Sequence, residues 1–169
     1  MAAISKTMQD AFNEQIKNEV YSAHLYLAMS AWFEAKELPG FAKWMRAQYI
    51  EELTHANKMF DYVVDRDGLV TVPAIAQPPA EFASALDIYE KTLEHERHVT
   101  ELINNLYRKA AAENDYESMT YLQWFLNEQV EEEKNALHIV EQLKAIGNMQ
   151  GLLIMLDGHM DKRSASLSV

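Results

Sequence analysis

Cysteine is absent from this chain of 169 residues, and glycine and proline are scarce, with 5 and 4 copies. Without cysteine there are no disulfides, iron–sulfur clusters or thiol chemistry, so any metal site must use oxygen and nitrogen ligands. So few turn-forming residues favour long helices over a β protein with many turns. No window approaches the roughly 20 apolar residues of a membrane span, and the N-terminus lacks the apolar core of a signal peptide. We therefore expect a soluble, cytoplasmic protein with no membrane partner.

Positive charge is also in short supply, and the formal net charge is -11. This balance argues against binding to nucleic acid, whose phosphates need basic patches. It fits a protein that handles cations, although many acidic proteins are simply kept soluble by charge repulsion. Hydrophobic residues make up 49% of the chain, and its length allows one domain with a sizeable core. We interpret residues 1–169 as a single domain.

Apolar residues with helical spacing predict an all-α fold, a four-helix bundle at about residues 5–146. We expect helices at about 5–37, 41–67, 84–113 and 116–146. The first break and the last are short, so the helices on either side of each should be antiparallel. The segment 69–82 holds three of the four prolines. Its about 14 residues can reach roughly 45 Å, the length of a neighbouring helix, and this predicts a long crossover between the second and third helices.

A short fifth helix is predicted at about 149–160, followed by a flexible tail at 162–169. Its central run, Leu152 to Leu156, is apolar on every side. A helix that is apolar all round cannot bury every face against one bundle. We therefore expect the fifth helix to lie at a contact between subunits.

Each of the four bundle helices carries an apolar stripe that is interrupted near its middle by polar side chains. These interruptions are Glu19 in the first helix, Glu52 and His55 in the second, Glu96 in the third, and Gln129 and Glu132 in the fourth. Packing of helices with similar length should bring them into one layer. Buried carboxylates at one level repel one another unless a cation lies between them. The pattern therefore predicts a metal site.

The ligand types narrow the choice of metal. Glu52 and His55 are three residues apart and project from the same helix face. Carboxylates with one imidazole suit iron or manganese, and zinc less specifically. One bridging carboxylate can hold two cations a few ångströms apart, as in known carboxylate bundles. The alternative is a buried ion-pair network, but no lysine or arginine occupies these positions in the stripes.

The chain resembles bacterial non-haem ferritins over nearly its full length. The similar segments are Asn18-Glu19-Val20-Tyr21, Glu51-Glu52-Leu53-Thr54-His55, His95-Glu96 and the stretch from Leu122 to Lys134. The resemblance implies a ferroxidase centre with one iron held by Glu19, Glu52 and His55. The second iron would be held by Glu52 as a bridge and by Glu96, with Glu132 as a further candidate.

Other residues receive roles from the same resemblance. Gln129 would lie beside the ligands or hold the oxygen ligand in place, and Tyr26 matches the family tyrosine beside the diiron centre. Trp124 matches an aromatic residue close to it. A third iron nearby maps onto Glu51, Glu128, Glu131 and Glu132. We interpret His95 and His98, which flank Glu96, as exposed helical histidines without a metal.

Departures from related families sharpen the resemblance. Bacterioferritin and rubrerythrin-type proteins carry a second Glu-x-x-His in the last bundle helix, where this chain has Gln129 and Glu132. The methionine through which bacterioferritin binds haem is replaced by Leu53, so no haem is expected. The cysteine-bound iron domain of rubrerythrin is impossible without cysteine.

The resemblance therefore implies an iron-storage protein with ferroxidase activity. It would oxidise Fe²⁺ with O₂ or hydrogen peroxide and deposit an Fe³⁺ mineral inside a homo-oligomeric cage, which in this family has 24 subunits. Two alternatives remain open at this point. One is a soluble diiron oxidase or peroxidase without storage, and the other is a metal-free helical bundle with a scaffold function.

Overall fold

The computed structural model describes residues 3–164, with side chains up to Met160. This part of the chain is all α-helical, and its five helices are α1 (Lys6–Ala35), α2 (Pro39–Asp65), α3 (Ala85–Ala112), α4 (Tyr116–Ile146) and α5 (Gln150–Ser164). The predicted helical bundle with a short fifth helix is confirmed. Helix α5 extends beyond the expected start of the tail at 162, and residues 165–169 of that predicted tail lie outside the described residues.

Two helix pairs joined by short turns form the bundle. Helix α1 packs along α2 and α3 along α4, and α1 also contacts α3. The turns at 36–38 and 113–115 are short, so each pair forms an antiparallel hairpin. The segment 66–84 has no regular secondary structure and connects α2 to α3, as the crossover prediction requires.

The apolar core is divided into two clusters, one toward each end of the bundle. One cluster includes Tyr26, Phe33, Phe41 and Leu143, and the other includes residues such as Phe12. Along α1 the change from one cluster to the other falls between Ile16 and Tyr26. Polar side chains that interrupt the stripes are therefore buried between two apolar regions, where water competes little for them.

Local side chains cap three of the bundle helices. Ser5, Ser84 and Asp115 accept hydrogen bonds from the backbone N–H groups of the first turns of α1, α3 and α4. Helix α2 begins at Pro39, two residues earlier than predicted, because proline is well tolerated in the first turn. Its N-cap residue, Leu38, makes no side-chain capping hydrogen bond.

Helix α5 supplies the missing cap of α2. Asp157 is buried, and its Oδ1 accepts a hydrogen bond of 2.9 Å from the backbone N–H of Phe41. The two helices approach so closely that a Cβ on Gly40 would lie 1.8 Å from the carbonyl oxygen of Asp157. Glycine at position 40 is therefore required for this contact.

Only part of the apolar surface of α5 is covered. Leu153, Leu156 and Met160 pack against the bundle, whereas Ile154 and Met155 are 67% and 62% exposed. The outward face remains available for a contact between subunits, which stays a prediction. No helix in residues 3–164 is both long and apolar enough to cross a membrane.

Candidate metal centre

The polar residues predicted from the four interrupted stripes converge in the middle of the bundle. All are buried, with at most 5% of the surface of any of them exposed. They come from α1 (Glu19), α2 (Glu52, His55), α3 (Glu96) and α4 (Gln129, Glu132). The stripes thus bring four carboxylates, an imidazole and an amide into one layer between the two apolar clusters.

Glu19, Glu52 and His55 form a group with the spacing of metal ligands. One ligand atom from each residue lies within 4.8 Å of those of the other two. His55 Nδ1 is 3.5 Å from Glu52 Oε2 and 4.0 Å from Glu19 Oε2. Two carboxylate oxygens and one imidazole nitrogen at this spacing make a donor set suited to a divalent cation such as Fe²⁺.

A second group of possible ligands lies beside the first and shares its histidine. Glu51, His55 and Glu128 also offer ligand atoms within 4.8 Å of one another, and the two carboxylates are half-buried. Of the four residues expected around a third iron, the structure thus brings Glu51 and Glu128 together. Glu131 is exposed, and Glu132 is buried outside this group.

Glu96 is held by hydrogen bonds from two side chains that the sequence singled out. The Tyr26 hydroxyl donates to Glu96 Oε1. Gln129 Nε2 donates to Glu96 Oε2 at 3.1 Å and also lies 3.3 Å from Thr100 Oγ1. Gln129 therefore faces Glu96 as a hydrogen-bond donor, and its expected function at the oxygen ligand stays a prediction.

Two buried glutamines in this layer were not predicted as site residues. Gln15 Nε2 donates to Glu19 Oε1 at 2.8 Å, and Gln48 Nε2 donates to Glu132 Oε2 at 2.7 Å. Gln15 precedes Glu19 by four residues, and Gln48 itself interrupts the second stripe. That spacing could have identified them, but a neutral amide does not by itself indicate a metal.

Burial and like charge shift the titration of the acids. Burial, with Glu19 and Glu96 nearby, raises the pKa of Glu52 well above its usual value. Burial also raises the pKa of Glu96 to about 7, although hydrogen bonds from Tyr26 and Gln129 oppose the shift. A bound cation would favour the ionised forms instead, so metal binding should release protons.

His55 favours the neutral form, which can bind a metal. Burial lowers the pKa of His55, although the negative charge of Glu19 opposes this shift. A neutral imidazole has a free nitrogen lone pair, which is the form that binds a metal. The ring of Trp124 lies 5.4 Å from the ring of His55, and Lys58 Nζ lies 4.3 Å over the indole.

The expectation that His95 is exposed was wrong. The ring is half-buried beside Tyr26, with the two ring centres 6.1 Å apart, and Nε2 lies 2.8 Å from Ser22 Oγ. Burial lowers the pKa of His95 to about 4, with a smaller contribution from His98. His98 is exposed as expected. His95 contacts α1 and is only partly exposed to solvent because its position borders the buried stripe of α3.

A crossover four-helix bundle with buried carboxylates and histidine defines the class of ferritin-like metal-binding proteins. A family model described as Ferritin-like domain matches residues 9–146, and the chain belongs to the ferritin family. The predicted family is thereby confirmed. Membership makes this chain an iron-binding protein with a function in iron storage.

Individual relatives agree with this assignment. The bacterial non-heme ferritin of Bacteroides fragilis is 41% identical, over 95% of this chain and 99% of the relative. That of Campylobacter jejuni is 38% identical, over 93% of this chain and 94% of the relative. A solved structure described as an open pore ferritin from Archaeoglobus fulgidus has a TM-score of 0.93 and 46% identity, covering 94% of this chain and 98% of that chain.

Proposed function

We propose that this chain oxidises Fe²⁺ at a dinuclear centre in the middle of each subunit and stores the Fe³⁺ as a mineral inside a cage of 24 copies. The main support is the buried layer of four carboxylates, two of which, Glu19 and Glu52, lie within 4.0 Å of His55. Arg66 is the only buried lysine or arginine among the described side chains, and it pairs with Asp115 at the end of the bundle. The negative charge of the layer can therefore be compensated only by protons or by cations from solution.

The ligand assignment combines the spacing of the side chains with the membership in the ferritin family. One Fe²⁺ would be held by Glu19, Glu52 and His55, whose donor atoms lie within 4.8 Å of one another. A second would share Glu52 and use Glu96 and Glu132 from the other helix pair, which the family supports, although no group of metal-ligand spacing among the described residues includes Glu96 or Glu132. Glu51 and Glu128 would hold a third iron, with Glu131 at its margin.

The proposed reaction takes its electrons from the iron. Each of two Fe²⁺ ions loses one electron, so O₂ accepts two electrons and two protons and leaves as hydrogen peroxide. When hydrogen peroxide is the oxidant, the same two electrons and two protons convert it into two water molecules. Anionic oxygen ligands favour the process because they stabilise Fe³⁺ relative to Fe²⁺.

The protein side chains orient the ligands and handle protons. Tyr26 and Gln129 donate hydrogen bonds to Glu96, which fixes its position in the layer. The raised pKa of Glu52 and of Glu96 means that binding of Fe²⁺ should displace protons from these carboxyl groups. The apolar clusters on either side limit access of water to the reacting ions.

The alternative is a diiron oxidase or peroxidase that does not store iron. The outward apolar face of α5, with Ile154 and Met155 exposed, favours an assembled cage over this alternative. A surface of this kind on a short terminal helix is readily explained by contact with further copies.

One experiment tests reaction and storage together. Fe²⁺ is titrated into the protein without oxygen, O₂ is then added, and absorbance and particle mass are recorded before and after. We expect rapid oxidation of two Fe²⁺ per chain, followed by retention of further iron in a particle of 24 copies. Rapid oxidation by a small particle that keeps no mineral would favour the non-storage enzyme. Failure to bind Fe²⁺ would contradict the centre itself.

A further inference from the structure

Each of three buried glutamines donates a hydrogen bond to one carboxylate of the central layer. These donations are Gln15 to Glu19 at 2.8 Å, Gln48 to Glu132 at 2.7 Å and Gln129 to Glu96 at 3.1 Å. The carboxylate without such a donation is Glu52, whose Oε2 has no hydrogen-bond partner in the described part of the chain. Three acids are therefore oriented by amides, and the fourth retains an unpaired oxygen.

A neutral amide is well suited to orient a metal ligand. Lysine or arginine in the same place would neutralise the carboxylate and compete with a cation for it. An amide N–H occupies one lone pair and leaves the charge and the other oxygen available. Hydrogen-bond partners of this kind usually affect metal binding strongly although they do not touch the metal.

Gln48 is the most informative of the three glutamines. It reaches from α2 to α4, and only 1% of its surface is exposed. Its Oε1 has no hydrogen-bond partner among the described residues. Burial of an unpaired carbonyl oxygen is unfavourable, and a leucine of similar size would avoid that cost. Packing of the bundle alone therefore does not explain an amide at position 48.

The hydrogen bond from Gln48 to Glu132 explains the amide at position 48 better than packing does. Glu132 lies on α4 four residues after Glu128, so two possible metal positions are close to it. One is the layer with Glu52, and the other is the neighbouring group of Glu51, His55 and Glu128, to which Glu132 does not belong. Gln48 is one turn before Glu52 on α2, so its donation holds Glu132 Oε2 beside the turn of α2 that precedes Glu52.

We propose that Gln48 is a positioning residue, which keeps Glu132 in the dinuclear centre and thereby sets the affinity for the second metal ion. The proposal rests on the proposed function, since it assumes that the layer binds two cations. Gln48 acts through Glu132 and does not itself touch the metal. Its removal should weaken binding of the second ion and leave the affinity for the ion at Glu19, Glu52 and His55 nearly unchanged.

The test uses Co²⁺, which binds oxygen and nitrogen ligands and is not turned over as Fe²⁺ is. Co²⁺ is titrated without oxygen into the assembled protein and into Gln48→Leu, with calorimetry and visible absorption as readouts. We expect the second Co²⁺ to bind about 10- to 100-fold more weakly in Gln48→Leu. The first Co²⁺ should bind within about twofold of the unsubstituted protein.

A double-mutant cycle separates positioning from a general structural effect. Glu132→Ala should itself weaken binding of the second Co²⁺, and adding Gln48→Leu to this variant should have no further effect on the affinity. Asn13→Leu is the matched control, because Asn13 is a buried amide that bonds the crossover at Leu69 and Thr71, away from the layer. It should lower the melting temperature without changing Co²⁺ affinity, while circular dichroism checks that every variant is folded.

Three results would overturn the assignment. The second Co²⁺ could bind to Gln48→Leu within about twofold of its normal affinity. Alternatively, Gln48→Leu could weaken binding equally in the Glu132→Ala background, which would show that it does not act through Glu132. Fewer than two Co²⁺ per chain in the unsubstituted protein would contradict the dinuclear centre, and the assignment of Gln48 with it.

Discussion

Buried acidic side chains have opposite surroundings in the middle of the bundle and at one of its ends. At the end, Arg66 Nη1 lies 3.1 Å from Asp115 Oδ1 and donates to the hydroxyl of Tyr62 at 2.6 Å. Ser118 completes this network, because its hydroxyl donates to Asp115 Oδ2 at 2.8 Å. In the middle, by contrast, buried acids face one another with a histidine whose pKa is lowered.

Charged side chains are buried for stability at the end of the bundle and for binding in its middle. The end network contains its own countercharge, so it holds the end of α2 to the turn between α3 and α4 without a bound cation. Among the described side chains, none that is cationic is buried in the central layer, so the layer must hold protons or take up cations. Removal of one acid should therefore have opposite effects on stability in the two regions.

The largest loss of stability is expected for Asp115→Ala. This change leaves the buried guanidinium of Arg66 without its partner and removes the cap of α4. We expect the free energy of unfolding to fall by about 3 kcal/mol, the low end for a buried pair because the network lies near the bundle end. Urea denaturation measures the change. Fe²⁺ oxidation by the folded fraction should be unaffected, and a loss of oxidation there would contradict the separation of the two regions.

Glu52→Gln should have the opposite effect on the metal-free protein. Burial beside Glu19 and Glu96 raises the pKa of Glu52, so the folded protein must keep this carboxyl protonated or bury its charge, and a neutral amide avoids that cost. The melting temperature measured with a chelator present should therefore rise. Loss of the shared ligand should weaken metal binding about 100-fold, or about 2.7 kcal/mol. Glu81→Gln, an exposed position in the crossover, serves as the control for charge alone. A Glu52→Gln protein that is less stable than the unsubstituted one would contradict the comparison.

The pH dependence of the metal-free protein should reflect the central layer. The pKa of Glu96 is about 7 in the folded chain, so the folded state keeps a proton that the unfolded state releases near pH 4.5. This stabilisation is complete below pH 4.5 and is lost as the pH rises through about 7. The lowered pKa of His55 acts in the other direction, because its contribution is lost as the pH falls below about 6.5.

With a chelator present, we expect the free energy of unfolding to fall by about 2 kcal/mol between pH 5 and pH 8, since Glu52 adds to the effect of Glu96. Thermal unfolding at several pH values measures it. Saturation with Zn²⁺ should abolish the loss, because a cation binds the ionised carboxylates more tightly as the pH rises. Stability that increases steadily from pH 5 to pH 8 without metal would show that the layer is not short of countercharge.

Much of this organisation was predictable from the sequence. Helical spacing identifies the bundle, and the interruptions by Glu19, Glu52 and Glu96 identify the layer, because a buried stripe tolerates acids only for a specific reason. Gln48 was harder to assign, since its significance depends on Glu132 in a different helix. The contact between α5 and the start of α2 was not predictable, because it joins residues 116 positions apart along the chain.

The contact between Asp157 and the start of α2 is a third way to bury a carboxylate, and its loss should have the smallest effect on stability. Asp157 accepts a hydrogen bond from the backbone N–H of Phe41 and lies at the positive end of α2, and no cationic or amide side chain of the described residues takes part. Asp157→Ala should lower the free energy of unfolding by about 1 kcal/mol, similar to Ser84→Ala, which removes the local cap of α3. Only Asp157→Ala should also increase proteolysis around α5, because only this cap joins two helices across the bundle. Equal proteolysis in both variants would mean that α5 is held by Leu153, Leu156 and Met160 alone, and that the carboxylate serves α2 and not the attachment of α5.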